Sequence, residues 1–131
     1  MNQLGTAADP VTPDFHVTVN VDGDRLVILT RRESTGSGGE RSYPLAAAAW
    51  VHEAITGHFW ADVVPQQLAL NTTLDGERLE LRRSWGMGGP DERGFLLTNF
   101  NRLTPSGVPQ ELAMTDELLI RGGLLALLQQ A

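Results

Sequence analysis

The chain has 131 residues, no cysteine and no lysine; its ten basic residues are all arginine, set against sixteen Asp and Glu for a net charge of −6. Without cysteine there is neither a disulfide framework nor a thiolate metal site, and the acidic balance disfavours general binding to polyanions. A hydrophobic fraction of 41% and a charged fraction of 20% are those of a globular chain, long enough to bury one core.

In chain order, residues 1–14 carry Thr, Ala and Pro but no basic start followed by an apolar run. They read as a flexible N-terminal arm, not as a secretory signal. No stretch approaches the ~18 apolar residues of a membrane span, so a cytoplasmic protein that does not enter membranes is expected. Alternation through Phe15, Val17, Val19 and Val21 predicts a half-buried strand. Asp22-Gly23-Asp24 supplies a tight turn, and residues 25–32 return as a second strand. Its run Leu26-Val27-Ile28-Leu29 suggests burial on both faces. A glycine-rich loop at 36–39 leads to a short third strand near 41–43. Pro44 suits the first turn of a helix. Ala47, Trp50, Val51, Ala54, Ile55 and His58 then form one helical stripe that ends about Gly57.

Residues 60–66 read as a connector, after which the plan recurs. Leu68, Leu70, Thr72 and Leu74 line one face of a strand, and Asp75-Gly76 turns the chain. Leu79 and Leu81 face inward, with Arg83 and Trp85 continuing that side. A loop at 86–90, a third strand over 95–101 and a Pro/Gly-broken loop at 104–109 follow. Thr115 can cap a final helix over 118–129, with Asp116 and Glu117 near its positive end.

Four signals thus appear twice in the same order, 50 to 53 residues apart. Asp22-Gly23-Asp24-Arg25-Leu26 is echoed by Asp75-Gly76-Glu77-Arg78-Leu79, and Arg31-Arg32 by Arg82-Arg83. Gly36-Ser37-Gly38-Gly39 is echoed by Gly86-Met87-Gly88-Gly89, and Glu40-Arg41 by Glu92-Arg93. The expectation is an α+β fold built from a duplicated β-β-β-α unit, 15–58 and 68–129, inside a single domain over 15–131. Its antiparallel sheet would have about six strands, with two helices packed on one face.

Chemistry is sparse. His52-Glu53 opens like a zinc-protease helix, but Thr56 stands where the second His is required, and His58 lies on a different part of the helix. No metal site is therefore expected. The glycine-rich loops lead into strands, so they present no helix N-terminus to a phosphate and no cofactor motif is complete. Ser34 and Ser84 follow the Arg pairs, but neither His nor carboxylate can be assigned beside them, and no catalytic residue is proposed.

The leading expectation is a non-enzymatic module for protein–protein interaction. The final helix is apolar around most of its circumference, more than one sheet face can cover. Leu119, Ile120, Gly122, Gly123, Leu124, Leu127 and Leu128 are the candidate partner-binding residues, with a homodimer or another protein as the partner. In size, acidity and alternation of elements the chain resembles small acidic secretion chaperones and immunity-type proteins, though the leading helix of the chaperone pattern is missing. An alternative is a single-stranded nucleic-acid binder. A strands-then-helix unit used twice, with Arg31, Arg32, Arg82, Arg83 and Trp85 on the hairpins, is similar in outline to the PC4/Whirly class, and stacking plus phosphate neutralisation is the chemistry that resemblance implies. Acid parity around both Arg pairs counts against it. A third reading is a small-molecule pocket using Trp50, Trp60 and Trp85; burial in the core accounts for the same residues.

Overall fold

A computed structural model describes residues 1–59, 69–85 and 92–131. The anticipated connector, Trp60, Leu68 and the loop at 86–90 lie outside the described residues, as does the side chain of His58. The described chain is α+β, with two four-stranded antiparallel sheets and three α-helices. The first sheet is a meander of β1 (Asn2–Ala8), β2 (Phe15–Asp22), β3 (Arg25–Arg32) and β4 (Gly38–Pro44). The second repeats that order with β5 (Ala69–Leu74), β6 (Glu77–Trp85), β7 (Arg93–Leu103) and β8 (Pro109–Thr115). Helix α1 (Ala46–Ala54) runs into a π-helical turn (Ile55–Phe59), and α2 (Asp116–Ile120) and α3 (Leu124–Gln130) follow β8.

Two strands correct the expectation of one six-stranded sheet. Residues expected to be a loose arm form β1, which pairs along β2 from Asn2↔Val21 to Ala8↔His16. The segment has little intrinsic strand preference, so its order comes from what it touches. Ala7 is buried, and the Asp9 side chain ties the end of the strand down. Asp9 accepts hydrogen bonds from the Val11 and Thr12 backbone N–H groups and from the Thr115 hydroxyl. The other strand is β8, where Leu112 and Met114 point into the core while Glu111 and Ala113 point out, a two-residue period inside a stretch too short to stand out.

The echoed signals do not mark equivalent places. Asp22-Gly23 joins the two inner strands of the first sheet, whereas Asp75-Gly76 joins an edge strand to an inner strand of the second. Even the turns are out of phase by one residue. The closing pairs are Asp22↔Arg25 and Leu74↔Glu77, so the loop residues are Gly23-Asp24 and Asp75-Gly76. Positive φ falls on Gly23 alone in the first (φ 62) and on both Asp75 (φ 48) and Gly76 (φ 79) in the second. These are the II′ and I′ solutions to the same two-residue hairpin. What recurs in the architecture is a four-stranded meander followed by a helix, and the sequence echo runs one strand out of step with it.

Neither half closes its own core. Helix α3, from the second half, packs on α1 and on β1 and β2 of the first sheet, while α1 touches β3 and β5. Tyr43, Leu26, Ile28, Val51 and Ile55 from the first half therefore share one buried cluster with Leu79, Leu81, Phe95, Leu97, Leu118 and Leu124 from the second. The buried Tyr43 hydroxyl donates to the Leu97 carbonyl at 2.9 Å. Burial pushes its pKa above the ordinary tyrosine value, so it stays a neutral donor.

The terminal helix also differs from expectation. Thr115 caps it as its position suggests, accepting from the Leu118 N–H at 3.1 Å, with Asp116 and Glu117 in the first turn. Gly122-Gly123 then breaks the helix into α2 and α3, Gly123 taking the left-handed conformation (φ 87) that other residues resist. Pro44 ends β4 instead of opening α1.

Candidate partner-binding groove

Three of the seven residues of the expected terminal-helix surface are internal and three more are half-buried. Leu119, Leu124 and Leu128 are buried in the core, and Leu127 is half-buried over Gly5. A backbone does approach Gly122 closely, but it is the chain's own. A side chain at 122 would meet the Ala8 carbonyl at 2.5 Å. The apolar circumference of the last helix is thus covered by α1, β2 and β1, the last a strand absent from the sequence-level picture. Of the seven residues only Ile120 remains strongly exposed, at 54%.

Three of the four Arg side chains of the two pairs meet a carboxylate. Arg83 is buried, its guanidinium forming two hydrogen bonds to the Asp116 carboxylate (2.6 and 2.9 Å) and lying 4.6 Å from the Phe95 ring centroid. Arg82 pairs with Glu80, Arg31 with Glu33, and Arg32 lies over the Phe15 ring. Trp85 is partly exposed beside Arg83. The two Arg pairs sit on different sheets, β3 and β6. Trp50 flanks a small recess with Glu53, Ala54 and Leu70, and Trp85 is not in its lining.

Ser34 does have a carboxylate beside it. Its hydroxyl and backbone N–H both donate to Asp14 at 2.6 Å, which holds the Asp14 pKa below the ordinary value. The nearby His16 ring is engaged elsewhere, by the Pro13 carbonyl and Glu33, so the arrangement clamps a loop and does not assemble a nucleophile–base pair. His52 lies in the last turn of α1. Among the described residues no group of three or more His, Cys, Asp or Glu is placed to hold a metal, and no helix is long and apolar enough to cross a membrane.

A groove of about 860 Å³ lies between β4 and the second sheet. One wall is Gly38, Gly39, Glu40 and Arg41. Its floor is a row of cross-strand neighbours on β6, β7 and β8, set by the pairs Glu80↔Thr98 and Thr98↔Glu111. The β7–β8 hairpin closes one end with Phe100, Pro105 and Val108. Phe100 is 37% and Val108 55% exposed, with Leu103 (58%) on the same hairpin.

Arg41 pins the wall to the floor. Its Nε donates to the Glu111 backbone carbonyl at 3.0 Å and its Nη1 to the Thr30 hydroxyl at 2.7 Å. Past Arg41 a second concavity of about 350 Å³ continues between β8 and the Phe15–Arg32 corner, with Asp9 and Glu92 in its lining. None of Glu40, Glu80, Phe100, Val108 or Glu111 was legible as a site residue. Val108 in the Pro/Gly-broken 104–109 loop was the available signal; Glu80 and Glu111 share the floor through strand register, and Glu40 joins them through the Arg41 contact. No protein-family model matches the chain, and no curated protein is significantly similar to it in sequence.

Proposed function

We propose that this chain is a non-enzymatic protein-interaction module whose partner seats in the groove between β4 and the β7–β8 hairpin. The observation that carries the reading is the coincidence, in one concavity, of a sheet edge with exposed apolar side chains on a projecting hairpin. Apolar area bordered by polar groups is a common mark of a partner surface. The matched charges of Arg31, Arg82 and Arg83 favour it over nucleic-acid binding, because phosphate neutralisation requires uncommitted cations.

Affinity capture from the native host, with the wild-type chain and Phe100→Ala/Val108→Asp as paired baits, tests this. A partner that survives high salt on the wild type and is lost on the variant supports the module. Binding to single-stranded DNA that falls steeply with salt, with no protein dependent on Phe100 and Val108, overturns it in favour of the nucleic-acid reading.

A further inference from the structure

We infer that the occupant of this groove is an extended, basic segment of another protein, added as a strand to the free edge of β4. The inference deepens the module reading and rests on it.

The ladder of β4 shows which backbone groups are uncommitted. Antiparallel pairing alternates between residues that bond across the ladder and residues whose N–H and C=O point away. The tight turn at Asp22↔Arg25 makes that pair, and therefore Asn20↔Val27 and Thr18↔Leu29, the bonded pairs of β2 and β3. In β3 the groups of Leu26, Ile28 and Thr30 then face β4, where they meet Tyr43, Arg41 and Gly39. The outward-pointing residues of β4 are consequently Gly38, Glu40 and Ser42.

Ser42 is already occupied. Its N–H donates to the Gln110 Oε1 and its carbonyl accepts from the Asn99 Nδ2, each at 3.0 Å. Two side-chain amides thus imitate a neighbouring strand at this position. The imitation stops there. Gly38 and Glu40, the next two outward positions, line the groove and have no outward backbone partner among the described residues. Natural edges are usually shielded by Pro, by charge or by a covering element. On β8 such shielding is present: Pro109 lacks an N–H, and Arg41 covers the Glu111 carbonyl. Gly38 carries no side chain, and the Arg41 guanidinium lies against the neighbouring, inward-bonded Gly39, so no side chain of Gly38 itself shields the outward backbone groups from an added strand.

Charge selects the occupant. The groove lining carries three carboxylates, Glu40, Glu80 and Glu111, against one guanidinium, Arg41, which is held in place by bonds to the Thr30 hydroxyl and the Glu111 backbone carbonyl. Glu80 has Arg82 as a neighbour, while Glu40 makes no ion pair among the described residues. Lys or Arg on the incoming strand complements this lining, and an apolar residue fits against Phe100 and Val108. A second copy would bring its own Glu40 to the same edge, in a chain of net charge −6, so self-pairing is disfavoured.

The test is selection from a displayed library of random ten-residue peptides against the full chain, followed by measurement of the selected consensus peptide. The expected consensus alternates Lys or Arg with apolar residues. Methylating alternate backbone nitrogens of that peptide is expected to weaken binding at least tenfold, as is Glu40→Lys/Glu111→Lys in the protein. Amide signals of Gly38 and Glu40 should gain protection from hydrogen exchange when it binds. Selection of acidic peptides, a helical spacing of anchors, absence of any consensus, or indifference to backbone methylation overturns the inference. Dimers dissociated by Glu40→Lys would instead assign the edge to a second copy and also overturn it. If the peptide test fails while capture still depends on Phe100 and Val108, only the strand-addition inference falls; if no partner depends on those residues, the module reading falls with it.

Discussion

Arg25 and Glu77 occupy the same place in two different hairpins, the first residue after a two-residue turn, and their side chains join the two sheets through paired hydrogen bonds. Asn99 and Arg102 add donors to the same Glu77 oxygen, both at 3.1 Å. The Glu77 side chain is 13% exposed, and burial alone would raise its pKa. The donors from Arg25, Asn99 and Arg102 outweigh that penalty and hold it at about 2, below the ordinary 4.5.

Because the folded-state pKa is depressed, this carboxylate stabilises the fold fully above about pH 4.5 and loses its contribution as pH falls toward about 2. Glu77→Gln should therefore lower stability by about 1–3 kcal/mol at pH 7, with the gap to wild type closing near pH 2. Urea titrations across pH 2–7 measure both. A constant gap at all pH values would show that the charge is not what stabilises this junction.

Arg83→Ala should cost about 3 kcal/mol, because it strips the partner from Asp116 and empties the space over Phe95; the partial exposure of Asp116 keeps the figure at the low end for a broken pair. Arg83→Lys should recover little, since one ammonium cannot reproduce two parallel bonds to the carboxylate. Arg82→Ala, on the exposed side of the same strand, should stay within about 0.5 kcal/mol. Denaturant midpoints of the three variants separate these cases.

Leu124→Ala should cost about 2–5 kcal/mol, and Leu124→Glu with Leu128→Glu should unfold the chain, since both positions are in the core. Circular dichroism with sedimentation distinguishes this from an assembly released into folded monomers, the outcome expected of an interface helix.

Gly122→Ala should destabilise by about 1–3 kcal/mol, because the added carbon meets the Ala8 carbonyl, backbone that can yield only by moving β1. Gly5→Ala should cost less, as its obstruction is the end of the Leu127 side chain, which can rotate. Hydrogen exchange of residues 2–8 should rise with Gly122→Ala and also with Asp9→Ala, which removes the tie between β1 and Thr115. Unchanged protection in β1 would contradict the clamp.

Local chemistry alone placed much of the fold. Alternation located β2, two-residue turns located the Asp22–Arg25 and Leu74–Glu77 hairpins, and Thr115 marked the start of the last helical segment, because period, φ preference and capping are properties of a few neighbouring residues. Only the tertiary structure decided the rest. Residues 2–8 are a strand because β2 and α3 flank them, not because Gly5, Ala7 and Ala8 favour extension. Leu119 becomes interior because α2 packs on β7 and β8, and Leu124 and Leu128 because α3 packs on α1, β1 and β2, reversing the apparent surplus of apolar surface on the last helix. The groove is equally non-local: Glu40, Glu80 and Glu111 are far apart in sequence and meet through strand register and the Arg41 and Gln110 contacts. Register between distant strands follows from burial summed over the whole core, a quantity that no short stretch of sequence contains.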